Sequence, residues 1–263
     1  DFVQKKKGLT WREACEVSAS ILGINVETDD ANPEEVARRR EEKRRALESI
    51  VKENDLYKKN LRDSKAGRIR QILKDRGITK TTADEFGLGF APTGFFAGRI
   101  TVPILNHLNE QVGWTGRACG DQPGKYKNTA DNDLFHKKQI VFNEYRAVDA
   151  AKEAGSLIFV EGHLDVVSMW QHGIRNVVAM QGTAAPDPLV LQRLSRSVKS
   201  FVLCYDGDAG GRKAVEQFLG VAQGLALKGE INTNVATLPD GRDPDEILRS
   251  GEDLYQYIAG APS

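Results

Sequence analysis

The sequence predicts an α/β protein, with a mixed α+β basic part leading into a parallel-sheet domain that carries helices on both faces. Three observations carry this expectation. From residue 155 onward, apolar strand-like runs at 155–161, 176–181, 199–205 and 231–238 alternate with helical stretches near 164–172, 187–197, 210–227 and 243–258. That alternation is the signature of crossover-connected parallel strands. Between 98 and 146 the texture is different, made of short strands and turns. Finally, three of the later strand ends run into acids, and ligand sites of open parallel sheets lie outside the carboxyl ends of their strands. At 263 residues two domains are the natural prior. The boundary is expected near 150–155, around DAAKEAG, giving segments 1–31, 32–150 and 151–263.

Taken in order, 9–22 reads as a short amphipathic helix ended by Gly23, followed by the linker VETDDAN. Asn32 is a good N-cap, with Pro33 at the first helical position and Glu34 and Glu35 in the first turn. The helix it opens runs to about residue 60. Arg38–Arg40 and Arg44–Arg45 on it suit phosphate, but interleaved Glu41, Glu42 and Glu48 favour a solvated face laced with i,i+4 pairs. Residues 66–76 form another helix closed by Gly77, and TKTTADEF a shorter one before the Gly/Pro break GLGFAP. GRITVPIL and EQVGWTGRA flank an NHLN turn as a hairpin.

Composition excludes some classes. No apolar run approaches the ~20 residues of a membrane-spanning helix, and the first residues contain no apolar signal core. The start without Met points to a fragment or a processed chain. Cys15, Cys119 and Cys204 are isolated, without a CxxC pair, which argues against a disulfide framework and against zinc, and for a reducing, cytoplasmic setting. Net charge is zero, yet residues 1–150 hold 27 basic and 23 acidic side chains and residues 151–263 hold 10 and 14. A polyanion on one side and metal ions on the other fit that split, but so does ordinary scatter.

The run FVLCYDGDAGGRKA at 201–214 is the most informative. Asp206 and Asp208 stand one residue apart after an apolar strand, so their side chains point the same way. Asp-Gly is equally a turn signal. Two further clusters shift the balance: Glu161 and Asp165 after LIFV, and Asp240, Asp243 and Asp245 in LPDGRDPDE. Converging carboxylates without imidazole or thiolate suit Mg²⁺ or Mn²⁺ rather than zinc. A pair of such ions activates an attacking hydroxyl and stabilises a leaving pyrophosphate. His163, a lone His after a strand, is left outside the catalytic set. In the central segment Arg99, Arg117, Lys125, Lys127, Lys137 and Lys138 are interleaved with Trp114, Tyr126, Phe135 and His136. Cations beside rings suit a nucleotide or single strand. On these residues alone, a small β subdomain with core aromatics and surface lysines is the better reading.

EGHLD at 161–165, the strand into Gly182-Thr183, YDGDAGGRKA at 205–214 and DGRDPDE at 240–246 resemble a TOPRIM domain. RITVPI at 99–104, GWTGR at 113–117, GKYKNT at 124–129, FHK at 135–137 and LKDRGITKTTADEFGLGFAP at 73–92 resemble the catalytic core of DnaG-type bacterial DNA primases, and the likeness keeps their motif order. The resemblance implies DNA-dependent synthesis of short RNA primers from ribonucleoside triphosphates on single-stranded DNA with Mg²⁺ or Mn²⁺. By motif, Glu161, Asp206 and Asp208 would be catalytic and hold two metals, supported by Asp165, Asp243 and Asp245. Arg117, Lys125, Tyr126, Asn128 and Lys137 would contact template or nucleotide, with Arg99 a weaker candidate. Residues 1–31 resemble the trailing edge of the family's zinc module and a linker, without its Cys/His ligands, and a replicative helicase would be met through regions absent from this sequence. The short stretch between Pro92 and Arg99 points to a phage, plasmid or otherwise divergent member. His163 stands where an aromatic ring is common, and Gln181 just precedes Gly182.

Two rival readings use the same acids. A TOPRIM nuclease would place a water where a primase places a 3′-hydroxyl. A non-catalytic TOPRIM clamp on nucleic acid would have no reason to keep all six acids together.

Overall fold

A computed structural model describes residues 33–259, apart from 121, 183 and 184, together with 15, 18 and 19. Cys15, Ser18 and Ala19 are helical. The rest of the helix expected over 9–22, the linker and the Asn32 cap lie outside the described residues.

Helix α1 (Pro33–Arg62) is polar along most of its length and shows the expected charge lacing. Arg39 pairs with Glu35, Arg44 and Arg45 with Glu41, and Arg38 with Glu42. These arginines belong to a solvated helix face. The C-terminal half turns one side inward, where Asn54 accepts from the indole Nε1 of Trp114 at 3.0 Å and Tyr57 packs edge-on to the same ring. α2 (Gly67–Asp75) and α3 (Lys80–Glu85) follow, the latter capped by Thr79, whose side chain accepts from the Thr82 N–H.

The first sheet is antiparallel, in the order β1 (Gly89–Ala91), β2 (Arg99–Leu105), β3 (Gln111–Ala118), β4 (Tyr126–Asn128). β2 and β3 form the expected hairpin, with Thr101 opposite Gly116 and Pro103 opposite Trp114. Pro103 lies past the last residue of β2 that pairs with β1, where its missing N–H leaves no ladder bond open.

The second sheet runs β5 (Val141–Phe142), β7 (Val177–Met180), β6 (Ser156–Val160), β8 (Ser200–Leu203), β9 (Asn232–Val235). β6, β7, β8 and β9 are mutually parallel, and only β5 runs against its neighbour. α4 (Glu144–Ala154), α5 (His163–Gln171), α6 (Pro188–Leu194) and α7 (Ala209–Ala226) connect them. The helix expected over 243–258 is two, α8 (Pro244–Arg249) and α9 (Tyr255–Ala259), broken at Gly251, whose φ of +81° ends the first.

The second sheet reaches back before residue 151. Val141 pairs with Met180, and Ala147 and Ala151 of α4 pack with Leu157 and Phe159. One apolar core runs from Leu73 and Phe86 through Ile100, Val102 and Phe135 to Ile158, Val160 and Leu164, so the two sheets share an interior. Phe159, Phe201 and Phe218 fill the opposite face of the second sheet. Helices therefore cover both faces, as the alternation requires.

Candidate active site

Strand order places the site. The chain leaves β6 toward β7 on one side, then crosses to β8 on the other side of β6. β6 and β8 thus flank the point where the winding reverses, the usual place for a ligand at the carboxyl ends of parallel strands. Glu161 follows β6, and Asp206 and Asp208 follow β8.

The loop geometry draws these acids together. The backbone N–H of Asp206 donates to Glu161 Oε1 at 3.2 Å. Gly207 is zipped to the neighbouring loop by bonds to the Arg242 carbonyl (2.8 Å) and from the Gly241 N–H (2.9 Å). A Cβ on Gly207 would run into the Pro239 carbonyl, and one on Gly211 into the Asp206 carbonyl and Glu161 Oε1, so both positions need glycine for space. Asp208 caps α7, accepting from the Gly211 N–H at 2.8 Å.

The supporting acids divide. Asp165, in the first turn of α5, is buried against this group. Asp243 caps α8, accepting from the Glu246 N–H at 2.7 Å. Asp245 is 1% exposed and ion-paired with Arg249 at 3.0 Å and Arg76 at 3.5 Å. That gives Asp245 a structural partner set, and Arg76 is a contributor that the sequence did not single out.

Crowding is visible electrostatically. Burial, then Asp243, Asp206 and Asp245, push the Asp165 carboxyl up to about 7. Burial, then Glu161 and Asp243, push Asp206 to about 7, with Lys125 opposing. Glu161 is raised by burial, helped by Asp208 and Asp165. Oδ1 of Asp206 is buried with no hydrogen-bond partner among the described residues. No three His, Cys, Asp or Glu side chains among those residues close around one point, so the acids form an open edge rather than a cage. An all-oxygen, mutually repelling set with an orphaned Asp206 oxygen fits a hard divalent cation.

The cations come from the first sheet. Lys125, just before β4, is exposed and close enough to act on both Glu161 and Asp206. Arg117 donates to the Tyr126 hydroxyl at 2.8 Å, with its guanidinium 5.3 Å from that ring's centroid. A Cβ on Gly162 would stand 3.4 Å from the same hydroxyl, which locates Tyr126 over the acidic loop. Lys137 reaches Gly182, where a Cβ would lie 3.2 Å from its Nζ. Asn128 accepts from the Thr115 hydroxyl at 2.6 Å.

Arg99 departs from its expected role. It is 4% exposed, and its guanidinium donates to the carbonyls of Gly116 (3.2 Å), Gly124 (3.0 Å) and Pro123 (2.6 Å). It braces the loop that carries Lys125. Trp114 and Phe135 are core residues, while Lys127 sits 3.7 Å above the exposed Phe95 ring.

The sequence also passed over His163 as a site member. It is buried, its Nε2 donates to Gln181 Oε1 at 3.0 Å, and burial holds it down to about 4, so it is neutral near pH 7.

Comparison with known proteins bears on the family and the fold. Residues 158–248 match the Toprim-like family, and residues 93–148 match the N-terminal domain of the DNA primase catalytic core. The DNA primase of Pseudomonas aeruginosa is 31% identical over 239 residues, covering 77% of this chain, and the chain spans 36% of that relative's length. The Aquifex aeolicus primase structure, with zinc-binding and RNA polymerase domains, aligns over 99% of this chain and 70% of its own at 26% identity, with a TM-score of 0.74. A DnaG primase catalytic domain bound to single-stranded DNA aligns over 82% of this chain and 78% of its own at 29% identity, with a TM-score of 0.73.

Proposed function

This chain belongs to the DnaG-type DNA primase family, and we propose that it makes short RNA primers on a single-stranded DNA template from ribonucleoside triphosphates. The observation that carries the reading is the face-to-face arrangement of an acidic sheet edge (Glu161, Asp206, Asp208) with Lys125, Tyr126 and Lys137 of the neighbouring basic segment. Acids alone serve a nuclease as well. Cations set directly opposite them serve a triphosphate that must be held while its pyrophosphate leaves.

Glu161, Asp206 and Asp208 would hold Mg²⁺ or Mn²⁺, in a pair, with Asp165 behind them. Such ions lower the barrier to deprotonating the primer 3′-hydroxyl and neutralise the leaving pyrophosphate. The chain's own groups do the rest. Lys125 and Lys137 neutralise phosphate oxygens as point charges. Arg117 fixes Tyr126, whose ring stands between the basic segment and the Glu161 loop. Asn128, with its carbonyl committed to Thr115, offers its amide N–H to the nucleotide. A similar DnaG primase catalytic domain is bound to single-stranded DNA, which supports a DNA template as partner. A replicative helicase partner and a cytoplasmic setting complete the proposal. Among the described residues no helix is long and apolar enough to cross a membrane.

The test is incubation with single-stranded DNA, all four ribonucleotides and Mn²⁺, beside Asp206→Ala/Asp208→Ala. Short RNA that disappears in the variant is expected. Metal-dependent loss of the template without RNA would replace the reading with a nuclease.

A further inference from the structure

We propose that His163 and Gln181 are positioning residues that clamp Thr115 across the seam between the two sheets and thereby fix which face of the Asn128 amide meets the nucleotide. The inference rests on the reading of the cleft as a ribonucleotide site. Three side chains from three elements meet here. Thr115 lies in β3, His163 opens α5 directly after Glu161 and Gly162, and Gln181 follows β7. All three are buried.

Their hydrogen bonds run in one direction. His163 Nε2 lies 3.0 Å from Gln181 Oε1 and 3.4 Å from Thr115 Oγ1. An amide oxygen only accepts, so Nε2 carries the ring proton and donates. The Thr115 oxygen, as the second acceptor of that N–H, turns its own proton to Asn128 Oδ1 at 2.6 Å in preference to Gln181 Oε1 at 3.5 Å. The amide of Asn128 is thereby set with its carbonyl inward, and its NH₂ makes no hydrogen bond among the described residues. Phe142 packs edge-on to the imidazole with centroids 4.8 Å apart, and the Tyr126 ring lies 6.2 Å away, which hold the ring plane. Gln181 Nε2 is buried and unpartnered among the described residues, so the pair is not there for polar satisfaction alone. A pair of apolar side chains would fill the seam without that orphan. What the polar pair adds is direction.

The experiment measures binding of ATP and GTP with Mn²⁺ to the full chain by calorimetry, with thermal midpoints in parallel. Thr115→Val removes the hydroxyl and keeps the shape. It is expected to weaken ribonucleotide binding about fivefold, the worth of one hydrogen bond, while Thr115→Ser binds as wild type does. In His163→Phe/Gln181→Leu both polar partners leave together, so the midpoint stays near wild type, yet the affinity falls as in Thr115→Val. Wild-type affinity in the double variant or in Thr115→Val, or an equal loss in Thr115→Ser, overturns the inference and leaves the functional reading standing. A wild-type chain that binds no ribonucleotide overturns both.

Discussion

Replacing Asp165 with Asn tests the crowding of the acidic edge without touching its shape. Asp165 is buried and held up to about 7 by desolvation and by Asp243, Asp206 and Asp245. A group whose folded value is raised keeps its proton in the native state after the unfolded chain has lost it. Stability is therefore greatest below the unfolded value and falls as pH rises to the folded one. For Asp165 the fall extends from the ordinary aspartate value of 3.8 to about 7. The full change corresponds to ~4 kcal/mol. The portion between pH values near 5 and 8 is ~1–2 kcal/mol once protons are shared among the neighbouring acids. His163, depressed to about 4, works in the opposite sense in the acid range, but it is present in both proteins and cancels. In chelator, the advantage of Asp165→Asn over wild type is expected to be about 3–6 °C larger near pH 8 than near pH 5. Near pH 5, where the folded carboxyl is protonated but the unfolded one has already lost most of its proton, only the part of the advantage gained below that pH remains. Thermal melts at the two pH values measure it. An advantage that is absent near pH 8, or as large near pH 5, would refute the crowding argument.

Other substitutions separate structural from chemical roles. Arg99→Ala strips three carbonyls of their donor and is expected to cost ~2–4 kcal/mol in a denaturant melt. A variant that lost DNA binding with an unchanged melt would return Arg99 to the nucleic-acid surface. Asp245→Ala leaves Arg76 and Arg249 facing each other and is expected to cost ~2–3 kcal/mol, read in the same melt. Gly211→Ala drives a methyl toward the Asp206 carbonyl and Glu161 Oε1, so Mn²⁺ affinity is expected to fall at least about tenfold, ~1.4 kcal/mol, measured by calorimetry.

The polar β9 was legible only from the alternation, whereas β6, β7 and β8 were legible because each is a short apolar run followed by a turn, with helices of fitting length between them. The Asp206–Gly207–Asp208 turn was legible for the same reason: its spacing, its glycine and its strand are all local. Other features needed the third dimension. β5 is two residues long, too short for any periodic pattern, so its antiparallel pairing with β7 and the earlier start of the second sheet could not be read. Arg99 has the composition of a phosphate ligand, and only the fold reveals the carbonyls of Gly116, Pro123 and Gly124 around it. Arg76 and Asp245 are 169 positions apart, and His163 and Thr115 are 48 apart. Pairings at such separations leave no mark on local sequence. Of the six acids, the order along the chain suggested one shared cleft. The structure gathers Glu161, Asp165, Asp206 and Asp243, uses both Asp208 and Asp243 as helix caps and ties Asp245 to two arginines.

The measurement that bears most directly on the account is Mn²⁺ binding followed by the paramagnetic signal of the free ion, with and without ribonucleoside triphosphate, in wild type and Asp206→Ala/Asp208→Ala. The acidic edge facing Lys125 and Lys137 predicts that the wild-type chain takes up Mn²⁺, that triphosphate tightens the uptake, and that both effects vanish in the variant. Equal uptake by the two proteins, or uptake that triphosphate leaves unchanged, would contradict the claim that the two sheets together form one site for metal and nucleotide.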